Sequence, residues 1–205
     1  VGSEMCIRDR MKKYELLVDD TVTFFGVQLF RIKALISFSG IEKGEVGGYI
    51  ASEKNLSQYG NAWVYGNAWV YGNARVYGDA EVSGNARVYG NAWVSGNAWV
   101  YGNARVYGDA EVYGNARVYG NAWVSGNARV YGDADYIVFK NTWSSGRYFT
   151  YTKSNKNWIV GCFYGSGAEL VEKAYKDSKK SGDFYKAYVD FVEKLEEIEN
   201  IHKEQ

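Results

Sequence analysis

The residue types able to do chemistry in this chain are few and badly placed for it. One histidine, His202, lies near the C-terminal end. Imidazole is the side chain best suited to general base work near neutral pH. A lone imidazole in a charged tail supplies neither a base beside a bound substrate nor a three-histidine zinc site. The cysteines are Cys6 and Cys162. Cys6 falls in VGSEMCIRDR, which reads as the translated end of a transposase sequence used in library preparation, so Met11 is the expected start. The remaining thiol, Cys162, cannot form an internal disulfide or a cysteine-based metal site. In WIVGCFY it is expected to be a small buried residue of a strand. The GSG at 165–167 precedes a helical pattern but lacks the lysine of a Walker loop and the full Gly-x-Gly-x-x-Gly spacing, so it reads as a helix entry. No catalytic residue, cofactor site or metal site is assigned.

Aromatic and guanidinium groups are what remain. Five tryptophans, Trp63, Trp69, Trp93, Trp99 and Trp123, share one slot of a repeat with Arg87 and Arg105. If that slot faces outward, these residues form a contact surface for a protein, a glycan or further copies of the chain, with rings supplying area and Arg or Asn supplying hydrogen bonds. Ring-on-ring ladders that stabilise the sheets themselves account for many of the same aromatics. Arg87 above Arg105 is a candidate anion site, weighed against two solvated arginines stacked beside aromatics.

The repeat that must position these groups runs from Gly60 to Gly132, with Gly at every sixth residue followed by Asn or Asp, Ala, a variable residue, Val, and Tyr or Ser. A fixed short period specifies a solenoid. Collagen needs Gly at every third residue and abundant Pro, and there is no Pro here. A Gly in every hexad also rules out helical repeats. Side chains alternate across a strand, so Ala and Val of each hexad share one face and the variable residue takes the other. The Ala slot is constant from Ala62 to Ala134 and the Val slot from Val64 to Val130, whereas the variable slot accepts Trp63 and Glu81 alike. The constant slots are therefore the interior and the variable slot the surface. Gly66 and its equivalents are expected at sharp turns or positive φ, and Asn67 and its equivalents in amide ladders.

The run VYGNARVYGDAEV resembles the hexapeptide repeat of left-handed parallel β-helices, in which three hexads make a triangular coil. Left-handedness follows from that resemblance alone, since ordinary parallel crossovers are right-handed. With MKKYELL and GEVGGYIASEKNLSQYGNAWVYGNA, the chain is similar to repeat proteins of bacteria and phages, some labelled acetyltransferase-like. The resemblance implies an acetyl-CoA-dependent acyltransferase as the alternative function, but the repeat region has no histidine to act as base toward an acceptor. The expected role is a non-catalytic structural or interaction module.

Residues 66–95 and 96–125 are identical except that Ser83 corresponds to Tyr113, which marks a duplicated block of five hexads. Five hexads do not fill whole three-hexad coils, so the copy is rotated onto different faces. The predicted outward rows are Trp63, Glu81, Trp99, Arg117; Trp69, Arg87, Arg105, Trp123; and Arg75, Trp93, Glu111, Arg129.

The flanks read as caps. The expected fold is mainly β: residues 1–10 as artefact, 11–48 as a β-hairpin N-terminal cap, 49–138 as the β-helix, 139–165 as a β-hairpin region and 166–205 as two helices. Ile50 and Leu56 are expected to plug the first coil. Ser166 with Glu169 fits a capping box, and Phe184, Tyr188, Phe191, Val192, Leu195 and Ile198 form the apolar stripe of the last helix. Lys plus Arg and Asp plus Glu both total 24, which argues against nucleic acid as main partner. No apolar run reaches membrane-span length and no secretory signal follows Met11, so a cytoplasmic protein without membrane contact is expected, with a homo-oligomer as one option.

Overall fold

A computed structural model describes residues 12–203; the reading of residues 1–10 lies outside this range. β1 (Tyr14–Phe24) and β2 (Val27–Ala34) form an antiparallel hairpin, and β3 (Val46–Ile50) joins β2 antiparallel. On its other side β3 pairs in parallel with Trp69–Val70, with Ile50 opposite Val70. This strand converts the hairpin sheet into the first parallel sheet of the solenoid. Nothing larger than glycine fits where it crosses the first coil: a Cβ on Gly47 would lie 2.5 Å from the Val64 carbonyl oxygen, and one on Gly48 2.7 Å from that of Ala68.

Twelve two-residue strands follow, β4 to β15, from Trp63–Val64 to Arg129–Val130 at every sixth residue. Each of the first nine pairs in parallel with the strand 18 residues on, as in Trp63 with Glu81, Trp69 with Arg87 and Arg75 with Trp93. Three strands therefore complete one coil, and the three outward rows are those expected from the sequence. Ala62 to Ala128 and Val64 to Val130 fill the interior with 0–1% exposure. Each such Val contributes about 1.5–3 kcal/mol of burial before entropy is counted. Two constraints hold the glycines. Gly90 has φ of +70°, and a Cβ there would lie 2.9 Å from the nitrogen of Gly108 in the next coil. Backbone and side chain both ladder from coil to coil: the Asn73 amide N–H donates to the Gly90 carbonyl at 2.8 Å, and its side-chain amide donates to Asn91 Oδ1 at 3.0 Å. Tyr71, Tyr89 and Tyr107 stack with 5.0 Å between successive ring centroids.

Both ends of the solenoid are closed by side chains. At the N-terminal end Ile50 and Leu56 are buried in the expected inward register, and Lys13 reaches in to donate from Nζ to the Ala62 carbonyl at 2.8 Å. Burial lowers the Lys13 amine to about 8. At the other end the strand edge would leave backbone N–H groups unpaired. Asp133 Oδ1 accepts from Arg117 N at 2.9 Å, Thr150 Oγ1 from Trp123 N at 3.0 Å, and Ser154 Oγ from Arg129 N at 2.7 Å. One hydroxyl or carboxylate caps each of the three faces.

These capping residues belong to a C-terminal unit that extends the expected hairpin into a four-stranded antiparallel sheet, β16 (Tyr136–Lys140), β17 (Tyr148–Thr152), β18 (Asn157–Val160) and β19 (Phe163–Gly165). Helices α1 (Gly167–Asp177) and α2 (Lys179–Lys203) pack on it, and α1 starts with the expected Ser166–Glu169 capping box. Three expectations need correction. Ala134 is exposed, because the chain leaves the hexad path at Asp133–Asp135 in a short 3-10 turn. Cys162 is exposed at the turn between β18 and β19 rather than buried in a strand. Of the expected α2 stripe Val192 is buried and Tyr188 packs against the same core, whereas Phe191, Leu195 and Ile198 are exposed and Tyr185 and Val189 complete the buried side. The sheet receives the helix about one residue round from where apolar spacing alone places it.

Candidate functional site

The outward row Trp69, Arg87, Arg105, Trp123 lies in a trough with a cap at either end. Alternation forces these four side chains onto one face, and parallel pairing sets them one strand spacing apart, about 4.8 Å. At such a separation two guanidinium charges repel. Each is offset by an indole: the Arg87 guanidinium carbon lies 4.2 Å from the Trp69 ring centroid and that of Arg105 4.5 Å from Trp123. Phe24 of the hairpin touches the same group, with the Arg87 guanidinium 5.0 Å from its ring.

The C-terminal sheet turns this face into a cleft of about 440 Å³. It brings Arg147, Tyr148 and Thr150 over the coils, so that Arg147 joins Arg87 and Arg105 around one space. Asn85, Asn103 and Asn121 form its side wall, and Asn85 donates to Asn103 at 3.4 Å. A second depression of about 210 Å³ continues along the face to the N-terminal cap and shares Asn85 and Arg87 with the first. Tyr49 lines this shallow end, and its hydroxyl donates to Asp20, which is also held by Arg31 at 2.8 Å.

No Asp or Glu lines either depression. Among the described residues the arginine ion pairs are Arg31–Asp20 and Arg129–Glu111, so Arg87, Arg105 and Arg147 meet in the cleft without a carboxylate. Three cations, amides and partly exposed rings can hold an anion that also offers hydroxyl groups and an apolar face. They offer no general base.

The other sequence-predicted contacts disperse. Trp93 and Trp99 are exposed on the two remaining faces, each beside an arginine, Arg75 and Arg117. Trp63 is not a surface residue: it is completely buried, with Tyr14 and Phe38 packed edge-on against it at 6.2 and 5.4 Å. The N-terminal cap covers the first outward slot, a contact between remote segments. On the same row Glu81 is partly buried, which raises its carboxyl above the usual range. His202 is exposed in the last turn of α2. No group of three or more His, Cys, Asp or Glu among the described residues is placed to hold a metal ion. No helix among them is long and apolar enough to cross a membrane. Arg147 was missed by sequence reasoning, since it lies outside the repeat and reaches the coils only through the turn of the β16–β17 hairpin.

Fold and repeat together define a β-solenoid repeat protein. The family described as YdcK Beta solenoid repeat matches residues 68–84, 80–96, 98–112 and 110–126. The match repeats at the 30-residue offset of the duplicated block, since 68 and 80 correspond to 98 and 110. No curated protein matches the chain.

Proposed function

We propose that this chain is a non-catalytic interaction module, a left-handed solenoid that holds a partner along the Trp69–Trp123 face. Handedness rests on the likeness of VYGNARVYGDAEV to hexapeptide-repeat helices. The observation that carries the functional reading is the convergence of Arg87, Arg105 and Arg147 on a cleft with no carboxylate in its lining. Arg87 and Arg105 are half-buried and Arg147 is exposed above them, and cations left without a counter-charge at a concave surface favour a ligand that completes them. The acyl-transfer alternative has the repeat resemblance in its favour, but the outward slots of the coils hold Trp, Arg and Glu and no imidazole.

Calorimetric titration with acetyl-CoA, beside a protein and glycan array probed with the labelled full chain, tests the reading. The expected result is no heat with acetyl-CoA and array binding that the Arg87→Gln/Arg105→Gln variant loses. Saturable acetyl-CoA binding with acylation of an amine acceptor would overturn it.

A further inference from the structure

Building on the contact reading above, we infer that the trough binds a linear acidic oligosaccharide, with its carboxylates on Arg87, Arg105 and Arg147 and its hydroxyls on the asparagine wall. The two depressions share Asn85 and Arg87, so the site is elongated along the solenoid axis rather than a single pit. Its chemistry repeats along that axis. Two guanidinium groups, Arg87 and Arg105, sit one coil apart on the floor between Trp69 and Trp123, and Asn85, Asn103 and Asn121 recur at the same spacing on the wall. A ligand matched to this surface carries anionic groups on successive units and hydroxyl groups along its length.

The type of anion follows from the donors. All three cations are arginines, whose planar forks pair with a carboxylate through two parallel hydrogen bonds. Each asparagine presents both an amide donor and an amide acceptor, which suits hydroxyls that do both. Trp123 and Tyr148 give an apolar flank for the C–H face of a sugar ring. A nucleic-acid strand fits less well. It requires an extended excess of positive charge, whereas this chain is neutral overall and two outward rows carry Glu81 and Glu111.

The test is titration of the full chain with an oligogalacturonate, its neutral methyl ester and inorganic phosphate, each at low and high salt. Wild type is expected to bind the acid form, with affinity falling as salt rises, and to bind the ester and phosphate at least about tenfold more weakly. Arg105→Gln and Arg147→Gln are each expected to weaken the acid form about tenfold or more; the exposed Arg147, which has no ion-pair partner among the described residues, is expected to do so without shifting the thermal midpoint. Equal affinity for acid and ester, preferential binding of phosphate, or binding unchanged in both variants would overturn the ligand class. If the array instead yields a neutral or protein ligand lost in Arg105→Gln, the acidic-sugar assignment fails and the contact surface stands. If nothing in the array depends on these arginines, both fail.

Discussion

Gly96 and Gly120 occupy equivalent slots of the hexad and differ in what lies beyond them. Both have positive φ, +65° and +66°, but a Cβ on Gly96 would lie 3.0 Å from the nitrogen of Gly114, whereas one on Gly120 meets nothing within 4 Å. Gly120→Ala is therefore expected to cost about 1–2 kcal/mol, for the left-handed conformation alone. Gly96→Ala is expected to cost more, up to about 3 kcal/mol, because two coils must also separate. Urea midpoints of the two variants check the order, and equal midpoints would show that inter-coil contact carries no penalty. Tryptophans in one slot divide in the same way. Trp63 is fully buried and Trp99 is 42% exposed. Trp63→Ala is expected to lose about 3–5 kcal/mol, and Trp99→Ser to remain within about 1 kcal/mol of wild type. The sequence marks all these positions as equivalent. Their inequality comes from neighbours remote in the chain.

At the scale of elements, the ends of the solenoid are where stability is most exposed to single changes. Within the coils each variable-slot N–H finds the carbonyl of the next coil, as Trp63 N finds Ala80 O at 3.0 Å. In the last coil side-chain oxygens of the segments that follow the solenoid take over that role. Thr150→Val keeps shape and removes the acceptor for Trp123 N–H, which is expected to cost about 1–3 kcal/mol. Faster hydrogen exchange at the Trp123 amide, with the coil interior unaffected, is the readout; unchanged exchange would mean that Thr150 merely packs there. The three caps come from separate segments, Asp133, Thr150 and Ser154. Asp133 sits in a 3-10 turn, Thr150 in β17 and Ser154 in the turn that follows it, and nothing in their local sequence marks a cap acceptor, which is identifiable only once the edge it serves is in place.

Over the whole molecule, the duplicated block decides which residues share the trough. Arg87 belongs to its first copy and Arg105 to its second, and they become neighbours because five hexads rotate the second copy against three-hexad coils. Deleting 96–125 joins Ser95 to Gly126, and the C-terminal unit then meets Trp93 where it now meets Trp123, with Arg75 and Ser57 in the coils beneath. The shortened chain is expected to melt cooperatively but to lose binding along this face; retained affinity would place the contact elsewhere. The half-buried Tyr89 and the buried Lys13 illustrate the pH response above neutrality. Burial, above all, pushes the Tyr89 hydroxyl up to about 12, so the stability it contributes is complete below its unfolded value of about 10 and is lost as pH rises through about 12. Lys13 has the opposite sign: lowered to about 8, it penalises the folded state below that pH and releases the penalty as pH rises toward about 10.5. Thermal midpoints are expected to rise slightly from pH 8 to about 10 and then fall, and the rise should vanish in Lys13→Met. The coil, its interior and the assignment of the variable residues to three rows are legible in the hexad pattern. Gly, Ala and Val at fixed spacing leave one way to bury the small residues, and neighbouring contacts lie a constant 18 residues apart. Tertiary structure alone decided that Trp63 is core, that α2 buries Tyr185 and Val189, and that Arg147 completes the cleft. Those outcomes depend on how non-repeating segments dock on the ends of the coil, and no periodicity in the chain encodes that docking.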